Sequence, residues 1–100
     1  MAQNIIVKNK DNPVVINFTG VDLTQATEIE VLLDQDSWTL TGDPTRVIVN
    51  SATQLQLELG NTTSSGMEYL TITIFDSGNP NGYEATSGCI GNLEKAKIVE

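Results

Sequence analysis

The sequence predicts an all-β protein, a single antiparallel β-sandwich of about eight short strands, and three observations carry that expectation. Residues 54–59 and 67–76 alternate polar and apolar with the two-residue period of a half-buried strand. Leu55, Leu57 and Leu59 share one side of the first; Leu70, Ile72 and Ile74 share one side of the second, with Tyr69, Thr71, Thr73 and Phe75 opposite. The hydrophobic fraction of 39% is concentrated in Val, Ile and Leu, with Thr, Asn, Gly and Ser between, a mixture suited to short strands and tight turns. Turn signals also recur at the short, regular spacing of a sandwich or barrel. The connector at residues 61–66 is all turn chemistry, so the two strands it joins either pair or face each other across a core.

The other elements follow in order. Ile5, Ile6 and Val7 make a first strand, broken by Asn12-Pro13, where proline lacks an N–H and drives its predecessor out of the helical region. Residues 14–18 place Val14, Ile16 and Phe18 on one face; Val15 spoils the alternation and predicts a strand covered on both sides. Asp22 or Thr24 is placed to cap one helical turn, with Val21, Leu23 and Ala26 plugging an end of the sandwich. Residues 27–33 put Ile29, Val31 and Leu33 inward, Glu28 and Glu30 in water, and Leu32 outside. Strands at 37–41, with Trp38 as a core plug beside Leu40, and at 46–50 come next. The run 77–82 is the strongest break, and its Asn81-Gly82 favours a type I′ hairpin turn. Residues 83–90 form an irregular strand, and Gly91-Asn92 a turn. Residues 93–100 hold helix-favouring Glu, Lys and Ala, but Ala96 and Ile98 alternate with Lys95 and Lys97, and a sandwich needs a partner for its last edge. A strand is expected there.

Composition narrows function. One hundred residues make one domain (1–100), long enough to bury a core without staples. Thirteen acidic residues against five basic ones give a net charge of −8. Few cations are available to displace counterions, so a nucleic-acid partner is not expected, nor an anionic membrane; docking on a basic surface is compatible with the acidity. Cys89 is the lone cysteine, read as a small buried hydrophobe. The N-terminal residues show no signal-peptide pattern and no stretch is long enough to cross a bilayer, so a cytoplasmic site of synthesis is expected.

Catalytic chemistry finds little material. The absence of histidine removes the commonest general base and metal ligand, and one cysteine without histidine makes no zinc site. No cofactor is expected. Asp34, Asp36 and Asp43 lie close in sequence, yet the central glycine and closing glutamate of a calcium loop are missing, and solvated turn aspartates are the simpler expectation. A glycosidase carboxylate pair lacks both a cleft and a means of raising a pKa. Five aromatics are too few to serve both a core and the coplanar platform of a carbohydrate-binding module, and a pilin or adhesin subunit would bring a secretion signal.

Three runs taken in order carry a resemblance: residues 5–10 leading into 14–18, Asp22-Leu23-Thr24-Gln25-Ala26 leading into 27–31, and 54–60 followed by Gly66-Met67-Glu68-Tyr69-Leu70 through Asp76. The chain resembles small immunoglobulin-like β-sandwich proteins of tailed-phage virions, such as baseplate upper protein N-terminal domains and head decoration or cement proteins. The tyrosine here stands one residue further from its glycine than in their pattern. The resemblance implies a non-catalytic virion component, made in the host cytoplasm, that binds other virion proteins and associates with itself in an assembly. A decoration protein on the major capsid protein lattice is the first expectation, and a tail, baseplate or fibre-adaptor subunit the second. Tyr69 and Phe75 on the outward face of one strand, and Ile5, Ile6 and Val7 near the terminus, are the candidate partner contacts.

Overall fold

The structure, a computed structural model, describes residues 4–86, 89–90 and 94–99. It is an all-β sandwich of two sheets. The larger contains β1 (Asn4–Val7), β3 (Ala26–Leu33), β4 (Asp36–Thr39), β7 (Gly66–Asp76), β8 (Asn79–Thr86), β9 (Cys89–Ile90) and β10 (Glu94–Val99). The smaller contains β2 (Val14–Asn17), β5 (Val47–Ser51) and β6 (Gln54–Leu57), in the order β2-β6-β5. The strands flanking residues 58–65 therefore do not pair: β6 and β7 belong to opposite sheets, and their leucines and isoleucines meet across the core.

β7 is the spine of the larger sheet. One edge pairs with β3 over residues 70–76; the other is shared, its first half by β10 and its second half by β8. Alternation puts Leu70, Ile72 and Ile74 in the core, where they are fully buried with Ile29, Val31 and Leu33 of β3 and Leu55 and Leu57 of β6. Leu59 joins them just beyond β6. The 3-10 turn Leu23–Gln25 is capped by Asp22, whose carboxylate accepts the Thr24 N–H, and it delivers Leu23 into the core. Trp38 is buried, and its indole N–H donates to Asn61 Oδ1 at 3.1 Å, so an aromatic body fills the core while its polar atom is satisfied at the rim.

Four expectations need correction. The sandwich is not wholly antiparallel: β1 runs parallel to β10, pairing Ile5 with Lys97 and Val7 with Val99. A parallel pair needs a long crossover, and here almost the whole chain supplies it. β10 is thus interior, between β1 and β7, rather than a last edge. Val15 is not covered on both sides but alternates outward and is exposed. The turn after β7 is Ser77-Gly78, because the Asp76 carboxylate accepts the Gly78 N–H at 3.0 Å and the Asn79 side-chain amide at 2.9 Å. Asn81-Gly82 falls inside β8, where the register shifts between Ile74 and Asp76. Gly82 has φ +80°, and a methyl there would strike the Phe75 ring and the Thr73 methyl. Its positive φ serves a bulge instead of a hairpin. The turn at Gly91-Asn92 and the Cys89 side chain lie outside the described residues.

Candidate docking surface

The two outer faces of the sandwich differ in chemistry. On the small sheet, side-chain amides form a ladder across all three strands. Gln54 of β6 donates to Asn17 of β2, and Asn50 of β5 donates to both Gln54 and Gln56. Gln56 in turn donates to Glu58. Bonded amides dominate this face, with Val15 and Ile48 as apolar neighbours on either side of Gln56.

The large sheet is the reverse. Its register places Ile5, Lys97 and Met67 in one row across β1, β10 and β7, Val7 beside Val99 in the next, and Leu32 beside Thr71 across β3 and β7. Tyr69 has the same parity on β7. Six large hydrophobics are exposed among the described residues, and five of them, Ile5, Leu32, Met67, Tyr69 and Val99, stand on this one face. Ile5, Met67 and Tyr69 are each about half exposed, at 55%, 49% and 52%. An apolar group of this kind on one face is the usual mark of an interaction surface.

Of the contacts expected from sequence, Ile5 and Tyr69 lie on this face and are exposed; Val7 lies on it half-buried. Phe75 is also there but partly covered, because Gly82 of β8 lets its ring lie against the backbone. Ile6 is a correction: it points inward with Ile98 and is fully buried, as the strand period demands once Ile5 faces out. Met67 and Val99 were missed. Met67 has the parity of Tyr69 and was legible from that; Val99 depends on the β1–β10 register, which no local pattern announces.

The same face turns acidic toward the other end of β7. Glu30, Thr73 and Glu84 form one row across β3, β7 and β8, and Glu28 stands beside Phe75 in the next. Partial burial pushes the Glu28 carboxyl up, but hydrogen bonds from the Thr41 hydroxyl and N–H and the Ile29 N–H outweigh it and hold the carboxyl below its ordinary value.

Two outer edges of the sheet, at β1 and β4, are blunted by side chains. Beside β1, Asn12 accepts the Val7 N–H at 2.8 Å and donates to the Val7 carbonyl at 3.2 Å. Beside β4, the Asp43 carboxylate accepts the Thr39 N–H at 3.0 Å while the Asp43 N–H donates to the Thr39 carbonyl at 2.7 Å. Each does locally what a further strand would do.

The aspartates considered for calcium do not converge. Asp36 is consumed by the 58–65 connector: it accepts from the Thr62 hydroxyl at 2.5 Å, the Thr63 N–H at 2.8 Å, and the Thr63 and Ser64 hydroxyls. The Thr62 hydroxyl first, with the Thr63 and Ser64 donors added, outweighs partial burial and lowers the Asp36 pKa. Asp43 caps β4, and among the described residues no three acidic, histidine or cysteine side chains group to hold a metal. Two shallow polar hollows of about 210 and 360 Å³ share Asp11 and Arg46. Glu58 lines the larger, with one carboxylate oxygen buried and unbonded.

No protein-family model matches the chain, and neither the curated proteins nor the solved structures yield a match. Fold and surface define its class: a β-sandwich domain with one amide-laddered face and one face that groups exposed apolar side chains around Lys97 at one end and carboxylates at the other.

Proposed function

We propose that this protein is a non-catalytic structural subunit that docks, through the outer face of its large sheet, on the protein lattice of a larger assembly. The observation that carries this reading is the gathering of Ile5, Leu32, Met67, Tyr69 and Val99 on one face while the opposite face is an amide ladder. The resemblance to phage virion proteins supplies the assembly: a tailed-phage head, with the protein decorating the major capsid protein. With the β1 and β4 edges beside this face blunted at Val7 and Thr39, face burial repeated at each lattice site supplies the affinity. A sugar-binding reading loses its platform, since Trp38 is buried in the core.

The test mixes the protein with purified phage capsids that lack it. It binds at a fixed ratio to capsid subunits and raises the temperature at which the capsids come apart, and a Met67→Ser/Tyr69→Ser variant of unchanged fold does neither. Binding to isolated tails alone transfers the protein to the tail-adaptor role, and specific binding on a glycan array overturns the structural reading.

A further inference from the structure

We infer that the partner surface is apolar at one end and cationic at the other, with its cations seated over Glu30 and Glu84 of this chain, and that it is not a second copy. The inference rests on the docking face proposed above. Size is the first argument. β7 has eleven residues and its neighbours β1, β3, β4, β8 and β10 four to eight each, so at ~3.3 Å per residue and ~4.8 Å per strand the face covers roughly 650 Å². That approaches the ~800 Å² per partner of a standard interface, whereas the apolar half alone offers about half as much. A partner that buries a standard area therefore also covers the acidic half.

Charge is the second argument. Glu30 and Glu84 flank Thr73 in one row, two strand spacings apart, with the Glu28 carboxylate in the neighbouring row. A partner without cations there would leave Glu30 and Glu84 facing an apolar or anionic surface, Glu28 being held already by Thr41 and Ile29. A second copy fails on the same ground. Stacked with the long axes aligned it brings the two acidic rows together; turned end for end it sets only Lys97, among the described side chains, against both Glu30 and Glu84. Each chain also carries −8. Complementary charge at such a rim governs approach and orientation more than final affinity.

The probe is a soluble β-hairpin peptide with leucines at one end of a face and lysines at the other, compared with versions carrying glutamate for lysine or serine for leucine. Nuclear magnetic resonance of the labelled protein shows the leucine–lysine hairpin perturbing Met67, Tyr69 and Thr73 together, with the other two at least five-fold weaker. Glu30→Gln/Glu84→Gln weakens binding about five-fold, as two rim charges predict. Asp11→Asn/Asp34→Asn, of equal net charge, leaves it unchanged. Equal loss in both double variants, or an equally good glutamate hairpin, overturns the inference, as does a concentration-dependent dimer in sedimentation that Met67→Ser/Tyr69→Ser abolishes. Capsid binding that fails while the hairpin result holds removes only the assembly assigned above. Capsid binding indifferent to Glu30→Gln/Glu84→Gln removes only the cationic partner.

Discussion

Asp36 does the work of several residues at one position. It opens β4, yet its carboxylate gathers three consecutive residues, Thr62, Thr63 and Ser64, from a connector more than twenty positions away in sequence. Hydrogen bonds to a charged acceptor are stronger than neutral ones, so Asp36→Ala is expected to cost about 1–2 kcal/mol after allowance for the solvent that reaches it. Its pH dependence has a definite sign. The folded-state pKa lies below the unfolded one, so the contribution is whole above the ordinary carboxylate range and is lost as pH falls through the lowered value. Thermal melts of wild type and Asp36→Asn should differ at neutral pH and converge in acid. A gap that stays constant with pH would contradict the latch. Gly60 is constrained by space: a methyl there would overlap the Lys10 carbonyl oxygen. Gly60→Ala is expected to destabilise by about 1–3 kcal/mol in denaturant unfolding.

At the scale of elements, the large sheet avoids the hazard of its own edges. β1 and β4 are short, four residues each, and Asn12 and Asp43 occupy backbone groups that a neighbouring molecule's strand would otherwise use. Asn12→Ala and Asp43→Ala should each raise the rate of fibrillar aggregation on mild heating, followed by light scattering and thioflavin fluorescence, well beyond what their loss of stability explains. Gly82 and Phe75 form another element-level pair, an aromatic ring laid across a strand glycine. Gly82→Ala is expected to displace that ring and lower the melting temperature, and Phe75→Leu, which removes the ring's share of the clash and leaves that with the Thr73 methyl, should lessen but not abolish the cost of the second substitution in a double-mutant cycle.

For the whole molecule, the sandwich separates stability from surface. Ile72 is fully buried on the central strand, and Ile72→Ala should cost about 2–5 kcal/mol. Met67→Ser/Tyr69→Ser, two large apolar losses a few residues away, should stay within about 0.5 kcal/mol per site. Urea unfolding of both variants checks the division directly, and a large loss from the surface pair would place that face in the fold rather than in docking.

The sequence by itself determined the all-β class, the alternation of β3, β6 and β7, a cap at Asp22 or Thr24 and the inward sense of Ala96 and Ile98, because each follows from a local period or a side chain acting on its neighbours; the structure makes Asp22 the cap. Tyr69 as a surface residue followed from the same period, which also means that Ile5 and Ile6 cannot both face out; that Ile5 is the outward one came only from the structure. Only the tertiary structure decided the rest. Local pattern cannot tell whether two strands pair or face each other, so it left β6 and β7 open. Nor can it show that β10 lies parallel to β1, since that register is set by closing the ends of the chain against one another. The Asn81-Gly82 turn was lost to Asp76, whose carboxylate stabilises a turn four residues earlier. The docking face exists only through register: Ile5, Leu32, Met67, Tyr69 and Val99 come from four strands scattered along the chain, and pairing alone brings them into one patch.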